Sequence, residues 1–398
     1  MSTGTTLIGD RRRQALERTT AQRGHPSRRA QTRPLGPPPT AFYMIALVVT
    51  FLIMLGLVMV FSASAITSLH QGNSPWRIFN RQLLWAVLGG VAMVITTRVP
   101  YHRWRRLIPL IVLGAFGLMC LPFVPGLGQS VNEAKAWVFI GPIGFQPSEF
   151  LKLAMLLYCA DLLARREQQM SNLRRTLLPL MLATGAGSVL CMLQGDLGSA
   201  IVMAAIVFAV LFIGGAPLTP LSFMGAVSAA MGSIFVFTSQ RRFNRFTAFL
   251  DITAHKDYLS YQVYQAMIGM ATGGVSGTGV GSGPSKWGYL PLAHSDFIFA
   301  VIGEELGLIG VVAVIGSFLL LTYGGVQVAL AARDRFGTLL AGGIVAWLAV
   351  QAVINIGGVS GAMPVTGLTL PFVSSGGSSL FVSMTAAGLL LNVARHVK

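Results

Sequence analysis

Residues 294–325 read HSDFIFAVIGEELGLIGVVAVIGSFLLLTYGG, a mostly apolar run that is much longer than a β-strand. From residue 297 onward it is long enough to cross a bilayer, whose roughly 30 Å of hydrocarbon takes about 20 apolar residues. The stretch nevertheless carries three carboxylates, Asp296, Glu304 and Glu305. Because a charge inside a membrane span costs about 2.5–3.5 kcal/mol on insertion scales, these residues are expected to be paired or functional.

The same apolar character extends along the whole chain of 398 residues. Apolar residues make up 53% of the sequence and charged residues 11%, with a mean hydropathy of +0.67, far from the soluble average. Candidate membrane helices lie at 42–63, 82–98, 107–124, 149–164, 177–193, 197–213, 218–238, 297–325, 338–357 and 377–394. The sequence therefore predicts an all-α polytopic membrane protein with about ten transmembrane helices.

The positions of lysine and arginine predict the orientation, because cytoplasmic loops collect these residues. With ten helices and a cytoplasmic N-terminus, most of the 29 Lys and Arg residues fall in inside segments. Both termini are therefore expected in the cytoplasm. The net charge of +16 is explained by the basic residues of the cytoplasmic segments, which also face anionic lipid headgroups. No nucleic acid is expected as a partner, since the basic residues are scattered among hydrophobic spans.

The polar parts of the chain are a tail and two long loops. Residues 1–40 are rich in Arg, Ser, Thr and Pro, which predicts a disordered basic cytoplasmic tail before a single membrane domain, 41–398. The first apolar run is long enough to span, so no cleaved signal peptide is expected. Topology places loop 125–148, before helix 4, and the larger loop 239–295, before helix 8, outside the cell. We expect the chemistry there, with partial order and short amphipathic helices.

No zinc or nucleotide motif is visible. The three cysteines and six histidines lack metal-ligand spacing. The glycine-rich run ATGGVSGTGVGSGPSKW, residues 271–287, matches neither the GxxxxGK[ST] nor the GxGxxG pattern of nucleotide-binding loops. A loop of this composition could still follow a lipid-linked diphosphate, for which Lys286 would supply a point charge.

Five carboxylates lie within or at the ends of apolar spans: Glu149, Asp196, Asp296, Glu304 and Glu305. Glu149 and Lys152 share a helix face, which is consistent with a buried ion pair that fixes packing or with catalysis. Asp196 and Asp296 each stand before a helix, so capping competes with a functional role at both. Glu304 and Glu305 are adjacent and face different ways; one is expected to pair internally, which leaves the other free to be protonated.

Six segments carry a resemblance to a known family. They are FQPSEFLKL (145–153), QGDLGSA (194–200), RRFNRFTAFLD (241–251), SYQVYQA (260–266), YLPLAHSDFIFAVIGEELG (289–307) and GLTLPFVSSGGSSL (367–380). In this order they resemble the motifs of the shape, elongation, division and sporulation family of bacterial membrane proteins, over about residues 42–394. The GLTLPF sequence and the PLAHSDF loop are more similar to the cell-division branch of this family than to its elongation branch.

The resemblance implies a peptidoglycan glycosyltransferase with ten helices. Such an enzyme polymerises lipid II, the undecaprenyl-diphosphate-linked disaccharide-pentapeptide, on the outer face of the cytoplasmic membrane. By motif match, Asp296 takes the position of the family's essential aspartate and fits a general base. It would deprotonate the acceptor's 4-hydroxyl as that oxygen attacks the donor's anomeric carbon and undecaprenyl diphosphate leaves. Partial burial would raise the pKa of Asp296 into a useful range.

Further site residues are also implied by the resemblance. The cations available to the leaving diphosphate are Lys135, Lys152, Arg242, Arg245 and Lys286. Other substrate-binding candidates are Trp137, Gln262, His294, Ser295 and Ser378, with an interfacial anchor as the alternative for Trp137. Residues expected to support the site are Glu149, Lys152, Asp196, Glu304 and Glu305. A divalent cation, Mg²⁺ or Mn²⁺, is an expected addition that would bridge Asp296 or Asp196 and the diphosphate.

Three positions depart from the family pattern. Ala136 stands where the family usually has arginine, Leu292 where it has glutamate and Ser375 where it has tyrosine. Lys135 could take the place of the arginine, but the bidentate contact of a guanidinium group would then be lost. These departures put local packing and substrate contacts in doubt more than the reaction.

The resemblance implies four kinds of partner: lipid II, membrane lipids, a cognate class B penicillin-binding protein and other division or elongation membrane proteins. Two other functions stay open. A lipid II flippase would place carboxylates along a route reachable from both faces, and a non-catalytic scaffold of the wall-synthesis complex would act through the basic tail. The motif residues gather toward the outside, which favours an enzyme.

Overall fold

The computed structural model describes residues 39–397, apart from 71, 132–133, 142, 170–172, 239 and 259. The predicted tail, residues 1–40, lies almost entirely outside this range. Helices make up most of the described chain.

Each of the ten predicted spans coincides with a helix. The α-helices of the described residues are α1 Thr40–His70, α2 Arg77–Arg98, α3 Tyr101–Cys120, α4 Pro147–Arg165, α5 Leu178–Leu193, α6 Leu197–Ile213, α7 Leu218–Phe237, α8 Gln240–Leu250, α9 Tyr261–Gly273, α10 Ile298–Ala331, α11 Arg335–Val359 and α12 Gly377–Arg395. Eight are long and apolar enough to cross a membrane, judged by length and composition. The prediction of a polytopic helical membrane protein is confirmed.

The count of ten spans stays a prediction, because two of the ten helices do not meet these criteria. Helix α4 carries several charged residues, among them Glu149, Lys152 and Asp161, and helix α6 has only 17 residues. Both pack within the bundle, where α6 contacts α4, α5 and α11. Their apolar faces are therefore buried against other helices.

A small antiparallel sheet in loop 125–148 was not predicted. Its strands are β1 Gly128–Val131, β2 Ala134–Ile140 and β3 Ile143–Phe145, in that order across the sheet. Ala136 is buried, whereas Lys135 and Trp137 stand on the opposite face of β2, as the two-residue period of a strand requires. Because Ala136 is buried, a larger side chain at this position would have to displace its neighbours.

The large loop 239–295 contains two helices, as expected. Helix α8 is amphipathic, and α9 packs against α10. The glycine-rich run follows α9 and ends in a 3₁₀ turn, Pro284–Trp287. This loop therefore returns to the bundle immediately before Asp296.

Helix α10 is broken near its first third. Gly307 has φ +65° and ψ −159°, which no residue with a side chain adopts readily. The glycine-rich run replaces helical hydrogen bonds at the break, since Leu308 N donates to Gly274 O over 2.9 Å and Thr278 N to Glu304 O over 2.9 Å. Residues 298–306 thus form a separate short half-helix that begins beside Asp296.

Polar side-chain contacts join several helices to each other. The side-chain amide of Asn392 on α12 donates to the carbonyls of Thr96, Thr97 and Val99 over 2.7–2.9 Å, which satisfies the end of α2. Asp161, which the sequence analysis did not single out, is only 2.6 Å from Arg105 Nε and joins α4 to α3. These contacts orient the helices around α11 and α12, the most buried spans of the eight.

Candidate active site

Asp296 lies in the turn before α10, and a side-chain amide of the bundle holds its backbone. The side-chain amide of Asn355 on α11 donates to the carbonyl oxygen of Asp296 over 2.9 Å and to that of Leu368 over 2.6 Å. The N-cap of α10 is Phe297, and no side chain caps the helix. The capping interpretation of Asp296 is therefore wrong.

The carboxylate of Asp296 has no protein partner among the described residues. It is half-buried, and burial raises its pKa to about 6, with no hydrogen bond or neighbouring charge opposing the shift. The backbone of Gly367, at φ +71°, passes beside it, and a Cβ there would lie 3.8 Å from Oδ2. A free carboxylate with a pKa near neutrality is suited to accept a proton.

Two loops with strained backbone meet next to Asp296. Ser375 N donates to His294 O over 3.0 Å, which joins the segment 374–377 (SSGG) to the loop before α10. Leu292 and Phe372 have φ of +58° and +66°, a conformation that costs about 1–3 kcal/mol per residue when its surroundings enforce it. Both loops are therefore held in place by their contacts. Burial lowers the pKa of His294, so its imidazole is neutral at pH 7.

The motif residues before α10 have mixed environments. The hydroxyl and amide of Ser295 both donate to Leu292 O, over 3.3 and 3.0 Å, so Ser295 shapes the turn. His294 is half-buried and contributes its carbonyl to the loop contact. Substrate binding by these two side chains stays a prediction.

Glu149 and Lys152 form the buried ion pair that their spacing predicted. Their side chains are 2.8 Å apart and almost fully buried. Lys152 also donates to Gln351 Oε1 over 3.2 Å, and Gln351 Nε2 donates to Thr369 O over 3.0 Å. This chain of contacts joins α4 through α11 to the 367–380 segment. Lys152 therefore supports the loop beside Asp296, and its charge is already paired with a protein group.

Asp196 caps helix α6 and joins it to the start of α4. Its Oδ1 accepts from Ser199 N over 2.9 Å at the start of α6. Its Oδ2 accepts from Gln146 Nε2 over 2.7 Å and from Ser148 Oγ over 3.0 Å, both at the start of α4. The capping interpretation of Asp196 is confirmed. Ser378, predicted to bind substrate, is buried and its hydroxyl accepts from Gln146 N over 3.0 Å, so the structure gives it a packing contact.

Lys286 has a different environment from the one expected of a diphosphate ligand. Its side chain is 4% exposed and its ammonium is 3.1 Å from the fully buried carboxylate of Glu305. Glu304 accepts from Ser285 N over 3.2 Å. Both glutamates therefore hold the glycine-rich run onto the half-helix. The run itself is packed against α10, so the expectation that it follows a diphosphate freely is wrong for its described conformation.

The remaining predicted cations are dispersed. Arg242 stacks over the Phe235 ring at 3.6 Å and donates to Phe235 O over 3.0 Å. The side chain of Arg245 lies outside the described part of the structure. Lys135 is exposed on β2 beside the half-buried Trp137, whose ring centre is 6.4 Å from that of Phe139. Gln262 is half-buried on α9. The binding roles of Lys135, Trp137, Gln262 and Arg245 stay predictions.

The carboxylates present do not build a metal site by themselves. Among the described residues, no group of three or more His, Cys, Asp or Glu could hold an ion. Asp196 is already surrounded by three protein donors, so it does not fit the bridging role expected of it. A cation shared by Asp296 and a diphosphate stays a prediction.

An apolar cavity of about 350 Å³ lies between α5, α6 and α7. Its lining includes many small residues, among them Gly185, Ser188, Ala204 and Gly232. Helix α7 contributes one wall and is the least buried of the candidate spans. A hydrocarbon chain is the kind of group that such a cavity accepts.

Sequence reasoning missed the two amides that join the loops to the bundle. Gln351 and Asn355 are both buried on α11 and stand four residues apart on one face. Uncharged amides inside an apolar span are a recognisable signal, since a buried amide requires hydrogen-bond partners.

These features define a polytopic membrane protein with an enzyme-like site. A single unpartnered carboxylate with a raised pKa is held by ordered loops over a helical bundle, an arrangement suited to proton abstraction.

The comparisons with known proteins define the family more narrowly. The FTSW_RODA_SPOVE family model, described as Cell cycle protein, matches residues 42–398, and the chain belongs to this family.

A relative named for glycosyl transfer and one named for sporulation each match most of the chain. A probable peptidoglycan glycosyltransferase FtsW of Geobacter sp. (strain M18) is 37% identical over 355 residues, covering 89% of this chain and 97% of the relative. The stage V sporulation protein E of Bacillus subtilis is 35% identical over 353 residues, covering 89% and 96%. The chain is thus similar to them over nearly their full length.

Solved structures agree with the fold. A chain from a study of how a peptidoglycan synthase complex coordinates polymerization and crosslinking superposes with a TM-score of 0.71 and 29% identity, covering 89% of this chain and 97% of that one. The rod shape determining protein RodA of Thermus thermophilus gives a TM-score of 0.65 and 29% identity, covering 89% and 96%. The helical arrangement is therefore that of the family.

Proposed function

We propose that this chain is a peptidoglycan glycosyltransferase that polymerises lipid II at the outer face of the bacterial cytoplasmic membrane. The family and the names of its relatives support the reaction class. The observation that carries the proposal is the Asp296 carboxylate, which is half-buried, has a pKa of about 6 and lacks a partner among the described residues. Its lone pairs are available to a substrate hydroxyl.

Asp296 acts as the general base in this mechanism. Above pH 6 its carboxylate is mostly ionised and accepts the proton of the acceptor's 4-hydroxyl. The hydroxyl oxygen forms a bond to the anomeric carbon of the donor, while the bond from that carbon to the diphosphate oxygen breaks. Undecaprenyl diphosphate leaves with the electron pair. Asp296 releases its proton to water before the next cycle.

The protein places this base before the substrate arrives. Asn355 holds the backbone of Asp296, and the loop contact between Ser375 and His294 holds the surrounding turn. A base fixed in this way loses little freedom when the reaction begins, which is the advantage of a preorganised site. The strained conformations of Leu292 and Phe372 are consistent with loops that the bundle holds for function.

The substrate's other parts match two further features. Lys135 is exposed on β2. Among the candidate cations whose side chains the structure describes, it is the one that is open to solvent and has no ion pair with a protein group. We assign it to the diphosphate, as a point charge that stabilises the leaving group. The cavity between α5, α6 and α7 accommodates part of a polyprenyl chain. Both features support a lipid-linked anionic substrate.

The partner in this proposal is a cognate class B penicillin-binding protein, which crosslinks the strands that this chain makes. The solved synthase complex that this chain resembles coordinates polymerization and crosslinking, and it supports that pairing. Several similar relatives carry the name FtsW, which supports a role in cell division. Other membrane proteins of the division machinery complete the expected set.

Reconstitution separates polymerisation from transport. The chain is co-expressed with its partner, placed in sealed liposomes and supplied with fluorescent lipid II, while the partner alone serves as the control. Polymeric glycan made only when the chain is present supports the proposal. Movement of lipid II across the bilayer without polymer would instead support the flippase.

A further inference from the structure

Glu305 sits at the centre of a buried cluster that the reaction described above does not use. Its carboxylate accepts from Ser62 Oγ on α1 at 2.8 and 2.7 Å and from Gly281 N at 3.0 Å. The ammonium of Lys286 lies 3.1 Å from Oε1 and 3.5 Å from Ser62 Oγ. With both charged side chains at least 96% buried, this pair is closed to solvent and to a bulky diphosphate.

The cluster is mechanically connected to Asp296. Glu305 lies at the end of half-helix 298–306, and Asp296 stands two residues before its start. A helical segment of this length is stiff, and its nine residues at 1.5 Å each make it roughly 14 Å long. A shift of Glu305 is therefore passed to Asp296 rather than absorbed between them.

The half-helix is also isolated from the rest of α10. The break at Gly307 removes the continuous helical ladder that would otherwise fix the position of residues 298–306. Backbone bonds from the glycine-rich run replace it, including Thr278 N to Glu304 O over 2.9 Å and Gly279 N to Glu305 O over 3.0 Å. The position of the base consequently depends on the contacts of this run.

The fit of the run on the half-helix is too close for larger residues. A Cβ at Gly277 would lie 2.2 Å from Glu305 O, and one at Gly283 would lie 2.6 Å from Glu304 Oε2. Glycines here serve close packing of two backbones rather than mobility. The Lys286–Glu305 pair fastens the end of the run at the point where it returns toward Asp296.

We propose that Lys286 is a positioning residue, which acts with Glu305 and Ser62 to set the place of Asp296 and does not bind the substrate diphosphate. This inference rests on the proposed function, because it assigns how the base of that reaction is held. Removing either charge leaves the other buried without compensation, and the half-helix then moves. Removing both charges removes the cause of the movement.

A double-mutant cycle tests this role. The variants are Lys286→Met, Glu305→Gln and the two together, each co-expressed with the partner and assayed for polymer from fluorescent lipid II. Each single variant is expected to lower kcat about tenfold or more, with KM for lipid II changed by less than about twofold, since misplacing a catalytic group acts mainly on the chemical step. The double variant is expected to return to within about threefold of wild type.

The opposite role gives a different result. If Lys286 binds the diphosphate, the double variant stays as inactive as Lys286→Met and both raise KM, which overturns the inference. Lys256→Met, at an exposed lysine of the same loop, is the matched control and leaves kcat unchanged. An inactive wild type would count against the proposed function itself, which separates the two failures.

A gentler variant covers the case in which the single charge variants do not fold. Ser62→Ala removes the one hydroxyl proton that is shared between the two oxygens of Glu305 and leaves the ion pair. A fall in kcat at constant KM, with a melting temperature close to that of wild type, supports positioning. An unchanged kcat would overturn it.

Discussion

The side-chain amide of Asn355 holds the backbone of Asp296, with its Nδ2 2.9 Å from the Asp296 carbonyl oxygen. The same nitrogen is 2.6 Å from Leu368 O, so one amide fixes both the base and the loop that passes beside it. A helix, a turn and a loop distant in sequence thus meet at one donor. The site's geometry depends on this meeting point as much as on the carboxylate.

Replacing Asn355 by leucine should impair catalysis without abolishing the fold. The variant keeps the side chain's approximate size but loses both hydrogen bonds, and a displacement of about 1 Å in a catalytic group can lower a rate by about 100-fold. Polymerisation kinetics on protein of unchanged melting temperature give the measurement. The exposed Asn80→Leu on α2 is the control, and equal rates for both variants would contradict the positioning role.

The pH dependence of the reaction should report the pKa of Asp296. Burial raises that pKa to about 6, and only the ionised carboxylate is a base. Lowering the pH through 6 protonates it, so kcat/KM should fall about tenfold per pH unit below that value and level off above it. A profile that stays flat down to pH 4.5, in folded enzyme, would rule out a base with this pKa.

Gly367→Ala should strain the loop that passes beside Asp296. The residue has φ +71°, where an alanine costs about 1–2 kcal/mol, whereas its Cβ would lie 3.8 Å from Asp296 Oδ2, an ordinary van der Waals distance, so the damage comes from the backbone. Melting temperature and polymerisation rate should therefore both decrease. Gly225→Ala on α7, where a Cβ meets nothing within 4 Å, should be neutral or slightly stabilising; a similar loss there would contradict this reading.

The Glu149–Lys152 pair should behave as a packing element. Lys152→Met leaves a buried carboxylate without its partner, which typically costs about 3–5 kcal/mol, and the yield of folded protein should decrease sharply. The double variant Glu149→Gln with Lys152→Met should recover most of that stability. Thermal unfolding in detergent measures both, and a double variant no more stable than the single one would argue against a purely structural pair.

The helical bundle could be predicted from the sequence because its signal is long and local. Each of the ten apolar runs coincides with a helix, and the spacing of Glu149 and Lys152 anticipated their ion pair. The break at Gly307 could not be anticipated, since a glycine within an apolar run is compatible with an unbroken helix. The short strands around Trp137 were missed for a similar reason, as four to seven residues carry little periodicity.

The candidate site was predictable only in part, because sequence shows which residues carry charge but not where that charge is satisfied. Lys286 stands in the glycine-rich run and Ser378 in a family motif, yet burial and partners distant in sequence give them packing contacts. Asn355 was overlooked because its importance comes from what it touches, Asp296 and Leu368. Tertiary contacts of this kind cannot be recognised from the local amino-acid composition.

The most direct measurement compares glycan polymer made from fluorescent lipid II by wild type and by Asp296→Asn, each purified with its co-expressed partner. The substitution keeps the size of the side chain and removes the base. The proposed mechanism predicts polymer from wild type and a loss of at least about 100-fold in the folded variant. Equal polymer from both proteins would contradict the assignment of Asp296 as the catalytic base.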